Sequence, residues 1–202
     1  MKILNLLSGG LDSTTMLYKY QKGAFVEAIF FDYGQKHIKE QLAATKICAD
    51  LGVKLHQGKL AEMFTPDARY STTPITTQHG DTDIIVNRNM NLITAAATYA
   101  LKSGFDAISI ATNADDTQNF PDCTKHFMRG MKDSLRFCHS SRIELLTPFI
   151  DITKTEVVEL ARKLQVPIDD TWSCYKGGEK PCGECGACQL RDKAIIEGGF
   201  EG

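Results

Sequence analysis

The run Leu4-Asn5-Leu6-Leu7-Ser8-Gly9-Gly10-Leu11-Asp12-Ser13-Thr14-Thr15-Met16-Leu17 limits the fold more than any other stretch of this sequence. A short apolar segment stops at two glycines, and helical spacing begins just after them. Lys2–Leu7 therefore reads as a buried strand. Ser13–Lys22 reads as a helix with Met16, Leu17 and Tyr20 on its apolar face. A strand that enters a helix through a tight turn is the opening of an α/β unit.

The pattern continues along the chain. Val26–Asp32 is a second expected strand, and Lys36–Leu51 a helix closed by Gly52. Val53–Gln57 is a third strand. Residues 61–87, rich in Thr, Pro and Asp, read as a long loop. Asn89–Ser103 is the clearest helix, with Leu92, Ala95, Ala96 and Tyr99 as its packing stripe. Ala107–Ala111 is a fourth strand, followed by a loop over 112–121 and a helix near Asp122–Cys138. Ile143–Leu146 is a fifth strand. Thr153-Lys154-Thr155-Glu156 has the capping-box pattern and starts a final large helix that ends before Pro167. Alternating strands and helices predict a doubly wound, parallel, five-stranded sheet covered on both faces. Ligands in such sheets bind at the carboxyl ends of the strands. The expected organisation is an α/β nucleotide-binding domain over 1–168 and a cysteine-rich tail over 169–202.

The glycine turn is an anion site by construction. It places backbone N–H groups at a helix N-terminus, and Gly9 and Gly10 let the chain approach an oxyanion closely. The hydroxyls of Ser8 and Ser13 add hydrogen bonds. A Walker-A loop carries a lysine for the outer phosphates; this loop has Asp12. A carboxylate facing polyphosphate needs a cation between them, so Asp12 is assigned to Mg²⁺ by position and charge.

The tail supplies a second feature. Cys174, Cys182, Cys185 and Cys188 form a C-x7-C-x2-C-x2-C pattern. Four thiolates complete a tetrahedral Zn²⁺ shell with no open position, which makes the site structural. The CxxCxxC run also suits an iron–sulfur cluster; the thiolate count and closed geometry favour zinc.

The balance of 23 Lys and Arg against 25 Asp and Glu gives a net charge of -2 and no basic face for nucleic acid. The apolar runs are shorter than a membrane span, and neither signal peptide nor cleavage site is evident. The expected compartment is the cytoplasm, a setting in which clustered cysteines bind metal rather than pair as disulfides.

Ser8-Gly9-Gly10-Leu11-Asp12-Ser13 resembles the SGGxDS signature of the PP-loop ATP pyrophosphatases. Further motifs narrow the resemblance: Phe31-Asp32-Tyr33-Gly34-Gln35-Lys36-His37, Asn87-Arg88-Asn89, the acidic stretch before Phe120-Pro121-Asp122-Cys123, and the tail from Trp172 through Arg191. Together they are similar to the 7-cyano-7-deazaguanine synthase family, over nearly the whole chain. The resemblance implies a PP-loop, HUP-like fold and a reaction. The carboxylate of 7-carboxy-7-deazaguanine becomes a nitrile using free ammonia and ATP as co-substrate, with AMP and pyrophosphate released. It implies ATP contacts at Leu7, Ser8, Gly9, Gly10, Leu11, Asp12, Ser13, Thr14, Thr15, Met16, Leu17, Tyr33 and Gln35. It implies substrate contacts at Arg88, Asn89, Asp122 and Cys123, and chemistry at Asp12, Arg88 and Asp116.

Several of these residues have a second reading. Asp122 accepts from the guanine-like edge or caps the helix after Pro121. Asp116 holds Mg²⁺ or stays solvated. Tyr33 stacks on a base or fills the core. His37 protonates a leaving oxygen or plays no part in the chemistry. Cys123 attacks as a thiolate or is buried and inert. Cys48 reads as core. Two positions depart from the resembled family: Val86-Asn87 stands where Pro-Gly is usual, and Thr124 where Arg is usual. The alternatives are therefore a variant that stops at the amide, another adenylating PP-loop enzyme such as an RNA-base thiolase, or a non-enzymatic zinc module. A homodimer is compatible with the sequence but not specified by it.

Overall fold

A strand covered on both sides sends successive side chains into two apolar layers, and β1 (Lys2–Leu6) and β2 (Phe25–Asp32) do so. Leu4, Leu6, Ile29 and Phe31 enter one core, while Ile3, Val26, Ala28 and Phe30 enter the other. The computed structural model describes residues 1–33, 38–60, 75–77, 80–82, 87–118 and 120–199. The remaining elements in chain order are α1 (Leu11–Gln21), α2 (Ile38–Leu51), β3 (Leu55–Lys59), β4 (Ile75–Thr77), β5 (Gly80–Thr82), α3 (Arg88–Ser103), β6 (Ala107–Ser109), α4 (Lys125–Phe137), β7 (Glu144–Leu146), α5 (Lys154–Leu164) and α6 (Gly186–Glu197).

Five strands form one sheet in the order β3-β2-β1-β6-β7. Every pairing in it is parallel, with Leu4 opposite Glu27 on one side and Ile108 on the other. The expected doubly wound sheet is therefore present. One core holds Ile93, Ala96, Ala97 and Ala100 of α3 with Met128, Met131 and Leu135 of α4. The other holds Leu17 of α1 with Ala43, Ala44, Ile47 and Cys48 of α2. Cys48 is the core residue that the sequence suggested, and burial pushes its thiol up to about 11.

Strand order reverses at β1, whose neighbours are β2 and β6. A crevice opens there at the carboxyl ends. Asn5 braces this point from inside. Fully buried, it accepts from Ser109 Oγ (3.0 Å) and donates to the Ser13 carbonyl (3.3 Å). One buried amide thus links β1 to β6 and to the start of α1.

Three expectations need correction. The third strand starts at Leu55 rather than Val53. Within the stretch expected to be loop, β4 and β5 pair as an antiparallel hairpin. The helix before Pro167 is not the last one. α6 follows in the tail, where Cys188, Arg191 and Ala194 recur every third residue as its buried side. Arg191 pins this helix down: its guanidinium donates to the Ile168 carbonyl (2.7 Å) and to Thr171 Oγ1 (2.7 Å). Ala194 packs with Leu11, Val158 and Ala161, so the tail shares a core with α1 and α5. Among the described residues, no helix is long and apolar enough to cross a membrane.

Candidate active site

The glycine turn is locked by its own side chains. Ser13 Oγ accepts from the Ser8 N–H (3.2 Å), lies 3.0 Å from Ser8 Oγ and donates to the Gly10 carbonyl (3.2 Å). Gly9 has φ +80, and a Cβ there would lie 2.3 Å from the Glu40 carbonyl oxygen. Helix α2 therefore runs directly against the turn, and only glycine fits between them. The tail closes the other side, where the Trp172 N–H donates to the Gly9 carbonyl (2.9 Å).

The lysine missing from the loop arrives from elsewhere. Lys154 Nζ meets Asp12 Oδ2 at 2.5 Å, both side chains being largely buried. Lys154 is the first residue of α5, whose capping box forms as expected: Thr153 Oγ1 accepts from the Glu156 N–H, and the Glu156 carboxylate accepts from the Thr153 N–H. The Lys154 N–H also donates to Asp115 Oδ2 (2.8 Å). The cation that the structure places against Asp12 is Lys154. The other oxygen, Asp12 Oδ1, is buried without a hydrogen-bond partner.

Beyond β6, Asn113 Oδ1 accepts from the N–H groups of Asp115 (2.9 Å) and Asp116 (3.2 Å), and its own N–H donates to Asp116 Oδ2 (3.1 Å). Asp116 is pushed up to about 6 by burial and by the neighbouring charge of Asp12. An orphaned buried carboxylate oxygen with a second carboxylate beside it suits a hard divalent cation.

The third cluster surrounds Arg88, at the start of α3. Its charge is felt by Tyr33, Glu40, Asp116, Cys123 and Tyr175. Burial alone would lower its pKa; Tyr33, Asp122 and Cys123 outweigh burial and raise it. The Tyr33 hydroxyl oxygen accepts a hydrogen bond from the Arg88 guanidinium. The Asn89 amide donates to the Asp122 carbonyl (3.2 Å) and to Cys123 Sγ (3.3 Å). Asp122 Oδ2 accepts from the Asn89 N–H (3.1 Å), so it caps α3 rather than the helix after it. Thr124 caps that next helix by accepting from the Phe127 N–H (3.2 Å). Burial, with Asp116 and Asp122, pushes the Cys123 thiol up to about 12, so it is no thiolate at neutral pH. Asn87 sits at φ 58, a left-handed conformation that asparagine tolerates better than most residues other than glycine.

One cavity of about 310 Å³ joins the three clusters. Leu7, Ser8, Gly10, Leu11, Asp12, Ser13, Tyr33, Arg88, Asn89, Asp116 and Cys123 line it, as do Glu40, Lys154, Trp172 and Tyr175. Gly9 is covered by α2. Thr14, Thr15, Met16 and Leu17 are fully buried within α1 and do not line the cavity, and neither does Asp122. Gln35 and His37 lie outside the described residues. Sequence reasoning missed Glu40, Lys154 and Tyr175. The capping box located Lys154 on a helix end but carried no sign of its partner.

The four tail cysteines converge, their sulfurs all within 4.8 Å of one another. One ion at about 2.3 Å from each sulfur needs sulfurs about 3.8 Å apart; Cys182 and Cys188 lie 3.9 Å apart. The N–H groups of Cys185 (3.3 Å) and Glu184 (3.4 Å) donate to Cys182 Sγ and pull that thiol down to about 6. Gly183, at φ +71, makes the turn that allows this. The donor set fits a single metal ion.

Comparison with known proteins accords with this geometry. The chain is 37% identical to the 7-cyano-7-deazaguanine synthase of Archaeoglobus fulgidus, over 100% of this chain and 88% of that protein. It is 36% identical to the 7-cyano-7-deazaguanine synthase of Caldicellulosiruptor bescii, over 100% and 95%. Among solved structures it resembles the U34-tRNA thiolase NcsA from Methanococcus maripaludis, with its [4Fe-4S] cluster. The TM-score is 0.57 at 20% identity, over 97% of this chain and 63% of that one, a likeness of fold. The family model for queuosine biosynthesis protein QueC matches residues 2–199, a span that takes in the glycine turn and the last tail cysteine alike, and the chain belongs to that family.

Proposed function

We propose that this protein is an ATP-dependent enzyme that converts the carboxylate of 7-carboxy-7-deazaguanine to the nitrile of 7-cyano-7-deazaguanine, with ammonia as the nitrogen source. One observation carries the proposal. A single cavity runs from the glycine turn, with Asp12, Lys154 and Asp116, to the cluster of Arg88, Asn89 and Cys123. A nucleotide's phosphates and an acid can lie in it side by side.

A carboxylate resists nucleophiles because its charge is delocalised. In this reading its oxygen attacks the α-phosphorus of ATP and the bond to the β-phosphate breaks. The N–H groups at the start of α1 receive the departing pyrophosphate, and Lys154 offsets its charge. Arg88 holds the acid by its fixed guanidinium fork. Ammonia forms the C–N bond as AMP leaves, giving the amide. A second ATP activates the amide oxygen, whose loss with AMP leaves C≡N. Tyr33, Trp172 and Tyr175 wall the cavity and keep water from the activated acyl carbon.

Asp12 Oδ1 and Asp116 would hold Mg²⁺, which neutralises polyphosphate charge. Cys174, Cys182, Cys185 and Cys188 would hold Zn²⁺. A single ion gathers four thiolates more closely than a cluster that gives each thiolate its own iron, and the sulfur spacing favours the single ion. This metal would anchor the segment that carries Trp172 and Tyr175 over the cavity.

The amide-stopping alternative rests on Thr124, which caps a helix where the family usually has arginine. One experiment decides. Purified protein is incubated with ATP, Mg²⁺, ammonium and 7-carboxy-7-deazaguanine, and AMP and product mass are followed. Nitrile is the expected product. Amide as the final product identifies the truncated reaction, and no AMP above background overturns both readings.

A further inference from the structure

Glu40 lies in the first turn of α2, and its own backbone carbonyl is the atom pressed against Gly9. Glu40 lines the cavity together with residues of the glycine turn and Arg88. Among the described residues, the charged and titratable groups that act on it, or feel it, are Arg88 at the start of α3, Tyr33 at the end of β2 and Tyr175 in the tail. Burial pushes Glu40 up to about 7, against the opposing pull of Arg88. An acid in the first turn of a helix is ordinarily ionised and solvated. This one is turned inward, beside the group expected to grip the substrate acid.

The chemistry above needs a proton acceptor. Near neutral pH ammonia is mostly ammonium, which has no lone pair. Among the described residues, the other cavity groups are occupied or unsuited. Asp12 is paired with Lys154, and Asp116 accepts from Asn113 at the phosphate end. Asp115 accepts from the Lys154 backbone. Cys123, Tyr33 and Tyr175 all keep their protons at neutral pH, burial having raised each of them. Among the described residues that line the cavity there is no histidine.

We propose that Glu40 takes the proton from ammonium as ammonia attacks the adenylylated acid. The step, which rests on the proposed function, balances as follows. One N–H bond of ammonium breaks and its proton joins the Glu40 carboxylate. The freed lone pair forms the C–N bond, the C–O bond to AMP breaks with its electrons going to AMP, and the nitrogen's surplus proton passes to solvent. Glu40 then loses its proton to solvent and is ready for another turnover.

The test is Glu40→Gln, which keeps shape and removes the base. General-base catalysis is worth about 10²–10⁴-fold, so ammonia-dependent product formation falls by at least about 100-fold. Two arms must survive. ATP–pyrophosphate exchange driven by 7-carboxy-7-deazaguanine stays within about threefold of wild type, because adenylylation precedes the nitrogen step. Hydroxylamine, largely neutral near neutral pH, restores AMP release and gives the hydroxamate. Unchanged turnover with ammonia overturns the role. So does loss of exchange, which makes Glu40 a binding residue, and so does failure of hydroxylamine to rescue. Absence of exchange in the wild-type enzyme instead overturns the proposed function itself, a failure read in a separate arm.

Discussion

Asp116→Asn should make this protein more stable and less active. Burial and the charge of Asp12 hold the Asp116 carboxyl at about 6, against 3.8 for the free group. A shift of about two units corresponds to roughly 3 kcal/mol at about 1.36 kcal/mol per unit. Water entry and local relaxation absorb part of it, so about 1–2 kcal/mol should be gained at neutral pH. For a chain of 202 residues that is roughly 3–6 °C in Tm. The sign follows from linkage. The folded pKa lies above the unfolded one, so the folded state binds the proton more tightly. The stability this supplies is complete below about pH 4 and is lost as pH rises through about 6. Wild type and variant should therefore converge at about pH 4 and separate above about pH 6. The Asn113 N–H keeps its acceptor in the variant, because asparagine retains a carbonyl oxygen. Thermal unfolding without nucleotide, scanned across pH, measures the gap; AMP release measures the activity, which should fall. A variant less stable than wild type at neutral pH refutes the electrostatic reasoning, as does a gap that does not change with pH.

Lys154→Met leaves the Asp12 carboxylate without its cation, so AMP formation should drop by about 100-fold or more, with bound metal in the tail unchanged. Gly9→Ala forces a Cβ to 2.3 Å from the Glu40 carbonyl oxygen at a left-handed φ. It should cost more than about 2 kcal/mol, read as a lower urea midpoint. Cys188→Ser should abolish stoichiometric metal binding, measured by chelator titration. It should also red-shift the fluorescence of Trp172, the sole tryptophan, as its segment leaves the glycine turn.

The sheet was legible because its signal is local. Both faces of β1 and β2 are buried, which makes their runs mostly apolar, with Asn5 and Glu27 as the interior exceptions, and turn residues punctuate them. The tail helix α6 was not, because it is held by means that periodicity does not register. Its buried residues include a charged arginine bonded to backbone carbonyls and a cysteine in the metal cluster. An apolar count scores both as surface. The reading of Asp122 as a cap for the helix after Pro121 failed for a similar reason: in sequence it precedes one helix, while in space it faces the N-terminus of another, 33 residues back.

The site was half legible, and the division has a physical cause. Residues fixed by a local turn, such as Ser8, Asp12 and Ser13, carry their geometry in their spacing. Lys154 and Glu40 do not. Lys154 reaches Asp12 across 142 residues because α1 and α5 pack through Leu11, Val158 and Ala161. Glu40 reaches the cavity because α2 lies against a glycine with no side chain. The glycine turn carries no lysine of its own, and the fold brings one to it. The apolar contact between two helices supplies the missing cation, so a mutation such as Val158→Ala, far from any substrate, should loosen the Asp12–Lys154 pair along with the core.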